Sequence, residues 1–166
     1  MCCATGLFTV AQTNFRHISF DEAIAAAKQE NKMVFIDFYT DWCGPCKMMA
    51  KEVFPQKKVG DYFNEKFVCV KFNAEKEGKE LAARYQVKAY PTFIVLNTKE
   101  ELQLDIKGAA NADDFIAKVN AGLDPEQSPA RMEARYNSGE RTPELINCYA
   151  LSYLEQGKET EGFKIL

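Results

Sequence analysis

The chain has 166 residues, 46% of them apolar, with 21 basic against 24 acidic residues and a net charge of −3. That length holds one complete domain and an appendage, and that composition can bury a core, which excludes a disordered chain. No basic stripe supports a nucleic-acid partner, and no apolar run approaches the ~20 residues that a membrane helix needs.

Residues 1–12, from Met1-Cys-Cys-Ala to Val10-Ala-Gln12, are small, apolar and uncharged, and a polar segment follows. The expectation is a remnant of a secretory signal peptide without its basic start, with cleavage near Ala11 or Gln12 and a periplasmic or otherwise exported product. The alternative is an ordinary N-terminus and a cytoplasmic protein. Cys2 and Cys3 are candidates for lipidation. A short strand is expected around Phe15–Ile18.

Ser19 with Glu22 reads as a capping box, and Phe20, Ile24 and Ala27 recur at helical spacing, so a helix is predicted over 20–31. Met33-Val-Phe-Ile-Asp-Phe-Tyr39 is a near-continuous apolar run, the pattern of a strand covered on both faces. Lys47 to Phe54 has helix-forming composition, Pro55 interrupts it, and Val59 to Asn64 resumes. Phe67 to Asn73 is a second buried strand, Gly78 to Tyr85 a helix, and Thr92 to Leu96 a third strand. Leu102 to Ile106 alternates and reads as a half-exposed strand. Asn111, Asp113 and Asp114 open a helix carrying Phe115, Ile116 and Val119.

Strands alternating with helices predict an α/β fold, a central mixed sheet flanked by helices, over 13–123. Residues 124–129, Asp-Pro-Glu-Gln-Ser-Pro, read as a linker. Residues 130–166 read as a short all-α extension: helices over Ala130–Tyr136 and Pro143–Gln156, then a third begun at Lys158. Its pattern resembles a tetratricopeptide-type repeat cut short.

Six cysteines are too few for a disulfide framework in a domain of this size. Cys69, inside a strand pattern, reads as a small buried hydrophobe, and Cys148 as a structural thiol. Cys43 and Cys46 differ: they lie in Asp37-Phe-Tyr-Thr-Asp-Trp-Cys-Gly-Pro-Cys-Lys47, where a strand turns into a helix. Disulfide exchange needs one attacking thiolate and a second sulfur within reach to resolve the mixed disulfide. Cys43 at the helix start is favoured as thiolate by free N–H groups and the dipole. Pro45 suits the first turn, and Cys46, one turn in, is the shielded partner. A zinc site would need two further ligands, and His17 is the only histidine. The same scarcity speaks against a Cys–His hydrolase.

The run from Asp37 through Trp42-Cys-Gly-Pro-Cys-Lys47, with Tyr90-Pro91-Thr92, resembles the thioredoxin family from about Phe15 to Gly122. Glu52-Val-Phe-Pro55 and Tyr62-Phe-Asn-Glu-x-Phe67 are more similar to the branch holding the C-terminal domain of DsbD. The resemblance implies a thioredoxin fold with Cys43 as nucleophile and Cys46 as resolver. It implies Asp37 as a buried carboxylate that relays the proton of Cys46, with Lys71 near it; a strand-end acid paired with Lys71 is the plainer reading. It also implies a cis-proline at Pro91, and a substrate groove formed by Trp42, Gly44, Pro45, the Tyr90 backbone and Gly108. No metal and no cofactor beyond the cysteine pair is implied. The expected partners are protein disulfides and an electron-donating reductase, DsbD-like for an exported protein, with the chain a monomer. The Gly-Pro dipeptide and Asp37 favour a reductase; an oxidase or isomerase is the alternative. A redox-inert binding module with a helical interaction tail is the alternative of another class.

Overall fold

The computed structural model describes residues 12–127, 129–155 and 157–166, so the leader and lipidation expectations lie, Gln12 apart, outside the described residues. The chain divides into two compact units, one ending at Val119 and the other running from Asn120 to Leu166.

The first unit opens with α1 (Phe20–Glu30), started by the capping box at Ser19 and stopped by Asn31 in the left-handed conformation (φ 53°). Ser19 N–H donates to the Glu22 carboxylate at 2.8 Å while Glu22 N–H donates back to Ser19 Oγ at 3.3 Å. This reciprocal pair satisfies two N–H groups that the first turn leaves free.

Four strands follow, β1 (Met33–Tyr39), β2 (Phe67–Asn73), β3 (Thr92–Leu96) and β4 (Leu102–Lys107), in spatial order β2-β1-β3-β4. β1 pairs parallel with β2, antiparallel with β3, and β3 pairs antiparallel with β4, so the sheet is mixed. Between the strands lie α2 (Gly44–Met48), α3 (Lys57–Lys66) and α4 (Lys79–Arg84), and α5 (Ala112–Leu123) follows β4. The division between the units falls inside α5.

Alternation along β1 sends its side chains to two cores. Val34, Ile36 and Phe38 join Val68, Val70, Ile94 and Leu96 under Ala23, Ile24 and Ala27 of α1. Phe35 points the other way, into rings of Phe63 (4.7 Å between centroids), Phe93 (5.8 Å) and Phe115 (6.2 Å). Asp37, two residues on, shares that second face.

Two local expectations need correction. The strand at 15–18 reduces to one bridge, Phe15 to Cys69, with Arg16 N–H on the Cys69 carbonyl at 2.9 Å. The chain must leave the sheet at once to enter α1, and Arg16 instead pairs its guanidinium with Glu30. After α2 the chain widens into a π-helical turn over Met49–Val53, closed by Phe54 N–H on the Met49 carbonyl at 3.0 Å. Pro55 cannot donate to continue the helix, and the wider turn carries Phe54 into the ring cluster, 4.8 Å from Phe15.

In the second unit a 3-10 turn spans Pro125–Gln127, and α6 (Pro129–Asn137), α7 (Pro143–Glu155) and α8 (Glu159–Ile165) follow, so α6 takes in the last residue of the expected linker. Met132, Leu145 and Tyr149 form its small core, with Cys148 and Ile165 against it. No helix of the described residues is long and apolar enough to cross a membrane.

Candidate functional site

β1 ends at Tyr39, and the turn Thr40-Asp-Trp42 leads straight to Cys43, which caps α2 with extended backbone (φ −69°, ψ 105°). Its Sγ accepts the Cys46 N–H at 3.1 Å, and Pro45 sits in the first turn. Cys43 and Cys46 are joined as a disulfide, their Cα atoms 5.3 Å apart. Sequence reasoning placed Cys43 outside and Cys46 inside. In the disulfide both are buried, at 3% and 6% exposure. What separates them is position on the helix: only Cys43 holds its sulfur against a free N–H of the first turn, which favours its thiolate.

Asp37 lies within β1 rather than at its end, 5% exposed, and its Oδ1 has no hydrogen-bond partner. Burial pushes its carboxyl up to about 7, with the positive charge of Lys71 opposing. Lys71 is the cross-strand neighbour of Asp37, yet its Nζ sits 5.9 Å from the ring centroids of both Phe15 and Tyr39. The acid therefore feels the ammonium without a direct ion pair.

A cavity of about 200 Å³ joins the groups that matter: Asp37, Thr40, Cys46, Ala50 and Lys71 all line it. Thr40 Oγ1 is a second buried oxygen there with no partner. The space has room for water, which needs two to four polar neighbours, and Asp37 and Thr40 offer two such oxygens. A second cavity of about 590 Å³, lined by Thr13, Asn14, His17, Asn64 and Lys71, also reaches Asp37 but neither cysteine. His17 lines this second cavity and not the one that holds Cys46. Among the described residues no group of three or more His, Cys, Asp and Glu side chains is arranged to hold a metal ion.

The other predicted groups are linked to one another and to Trp42, the residue before Cys43. The Tyr90–Pro91 peptide is cis. It immediately precedes Thr92, the cross-strand neighbour of Phe38, so the loop lies beside the end of β1 from which the cysteine turn departs. Gly108, at φ 83°, donates its N–H to the Pro91 carbonyl at 2.9 Å; that backbone conformation is one L side chains rarely adopt. Trp42, 66% exposed, stands edge-on to Tyr90 at 6.0 Å. Its indole N–H donates to both oxygens of Glu75 at 3.1 Å. Glu75, Thr40 and the cavity neighbour Ala50 were missed by sequence reasoning. Thr40, three residues before Cys43, was within reach of a simple proximity argument. Of the remaining cysteines, Cys69 is buried and its thiol pushed up to about 12 by burial; Cys148 is a half-buried free thiol.

Comparison with known proteins supplies an independent line. The thioredoxin family profile matches residues 10–121. A proposed disulphide-isomerase from Bacteroides thetaiotaomicron is 42% identical in its solution structure, which covers 71% of this chain and 98% of its own, at a TM-score of 0.64. The oxidised C-terminal domain of Neisseria meningitidis DsbD is 28% identical over 61% of this chain and 90% of its own, at a TM-score of 0.53. Chloroplastic thioredoxin Y of Oryza sativa subsp. japonica is 33% identical over 64% of this chain, which spans only 58% of that relative.

Proposed function

The chain belongs to the thioredoxin family, and from that premise we propose that it is a protein thiol–disulfide oxidoreductase that reduces disulfides of other proteins. The observation that carries this reading is the bonded Cys43–Cys46 pair at a helix start, opening through one cavity onto a buried, unpartnered Asp37.

In the dithiol form the Cys43 thiolate attacks one sulfur of a substrate disulfide. The other substrate sulfur leaves as a thiolate and takes a proton from water. Cys46 then gives its proton, through the cavity, to Asp37, whose raised affinity for protons makes it a competent base near pH 7. The Cys46 thiolate attacks Cys43 Sγ, the mixed disulfide breaks, and the second substrate sulfur is released. The substrate gains two electrons, and the protein is left in the disulfide form. Trp42, Gly44, Pro45, the Tyr90–Pro91 loop and Gly108 frame the surface on which the substrate docks.

An electron-donating reductase must restore the dithiol. If residues 1–12 direct export, as their small, apolar composition favours, that donor is a membrane protein of DsbD type; otherwise it belongs to a cytoplasmic system. Cell fractionation of the natural protein tests the location. Redox equilibration in defined thiol buffers, followed by Trp42 emission, tests the direction. A two-electron midpoint near about −270 mV supports the reductase, and one near about −120 mV makes the protein an oxidant. Absence of a two-electron transition would leave only a binding role.

A further inference from the structure

After α4 the chain turns through Gln86 (φ 55°) and runs from Val87 to Pro91 without helix or strand. Val87 N–H is held by the Ala82 carbonyl at 2.8 Å, and the Ala89 carbonyl accepts from Thr92 Oγ1 at 2.8 Å. The N–H and C=O groups of Lys88 and Tyr90 have no partner among the described residues. A backbone strip beside the disulfide is therefore free to pair with an extended chain.

Next to that strip lies a groove of about 600 Å³ whose lining includes Arg84, Lys88 and Lys107 against a single acid, Asp105. Arg84 is engaged with Glu100 at 3.0 Å and Lys107 with Asp105 at 3.3 Å, both on the surface. Lys107 is the cross-strand neighbour of Thr92, so it stands next to Pro91, and Lys88 lies on the other side of Tyr90. On the opposite flank Glu75 accepts the Trp42 indole N–H, while Asp41 is already paired with Lys76 at 2.6 Å. A substrate strand crossing the site thus runs from the Glu75 carboxylate at Trp42 toward the Lys88 and Lys107 ammonium groups beside Tyr90 and Pro91.

We propose that this groove receives an acidic flank of the substrate: an extended segment bearing Asp or Glu on one side of its target cysteine, roughly two to four residues away at the ~3.3 Å rise of a strand. The proposal rests on the reductase reading and names its substrate class. A neutral or basic flank loses the cations of Lys88 and Lys107, and a segment acidic on the other side meets Glu75.

The test uses the reduced full chain and four peptides, each with one cysteine held as its 2-mercaptoethanol mixed disulfide. One is acidic before the cysteine, one acidic after it, one lysine-rich and one uncharged. The rate at which each oxidises the protein is read from Trp42 emission, with peptide thiol release followed by mass spectrometry. One acidic peptide should react about fivefold faster than the uncharged one at low ionic strength, and the gap should close near ~0.5 M salt. In K88E/K107E the acidic and lysine-rich peptides should exchange rank. Should that variant fold poorly by circular dichroism, K88Q, altered at one exposed side chain, must narrow the gap on its own. Equal rates for all peptides, or equal gains from both acidic isomers, overturn the groove and leave the reductase standing. Failure to reduce any peptide removes the reductase reading, and the groove with it.

Discussion

Replacing Asp37 with asparagine should make the oxidised protein more stable, and increasingly so as pH rises. In the unfolded chain the carboxyl ionises near 3.8, whereas in the fold it holds its proton to about 7. Between those values the unfolded state has released a proton that the folded state still keeps, so stability falls as pH rises through the interval. The gap amounts to about 4 kcal/mol at ~1.4 kcal/mol per decade, all of it due to a carboxylate taken from water without a hydrogen-bond partner at Oδ1. The penalty is close to zero at pH 3, roughly 2 kcal/mol at pH 5 and about 4 kcal/mol at pH 8. The Asp37→Asn amide keeps the shape and removes the charge, leaving only an offset that does not vary with pH. Urea unfolding of both proteins from pH 4 to pH 8, followed by far-ultraviolet circular dichroism, gives the difference directly. A difference that does not change with pH would refute the assignment of Asp37 as a buried, unpartnered acid.

Phe35→Ala removes a ring with no exposed surface that meets Phe15, Phe54, Phe63, Phe67, Phe93 and Phe115. It should cost roughly 3–5 kcal/mol in urea unfolding, and a loss below 1 kcal/mol would contradict the packing. Gly78→Ala should cost roughly 1–3 kcal/mol, since its Cβ would stand 2.6 Å from Phe72 Cβ and 2.9 Å from the Asn73 carbonyl oxygen. Ser19→Ala removes the hydroxyl that accepts the Glu22 N–H, one half of the capping box, and should lower the unfolding free energy by about 1 kcal/mol in the same assay. Glu75→Ala frees the Trp42 indole, so the steady-state fluorescence anisotropy of Trp42 should fall; an unchanged value would show that Tyr90 alone holds the ring.

Phe67–Asn73 and Thr92–Leu96 were legible residue for residue, because strands buried on both faces leave no exposed alternation to blur their ends. The cysteine pair was legible from its spacing at a strand-to-helix turn, and Asp37 and Pro91 from the resemblance to the thioredoxin family. Other features were not. The π-helical turn at Met49–Val53 has the same composition as an α-helix, and its cause, the placement of Phe54, exists only once the rings are packed. The strand expected at 15–18 failed because pairing depends on the partner strand and on how soon α1 must begin. Glu75 reaches Trp42 across 33 positions of sequence, and nothing in either neighbourhood marks the contact. The position of Lys71, adjacent to Asp37 yet lodged between rings, likewise follows from tertiary packing.

Cys69 lies in β2, alongside the strand that carries Asp37, its thiol buried and held protonated. A third sulfur able to reach a redox pair would intercept a mixed disulfide and trap the substrate as a dead-end adduct. Protonation and enclosure remove it as a competitor, because exchange requires a thiolate with access to the sulfur it attacks. The sealed thiol contributes fidelity to the site without touching it.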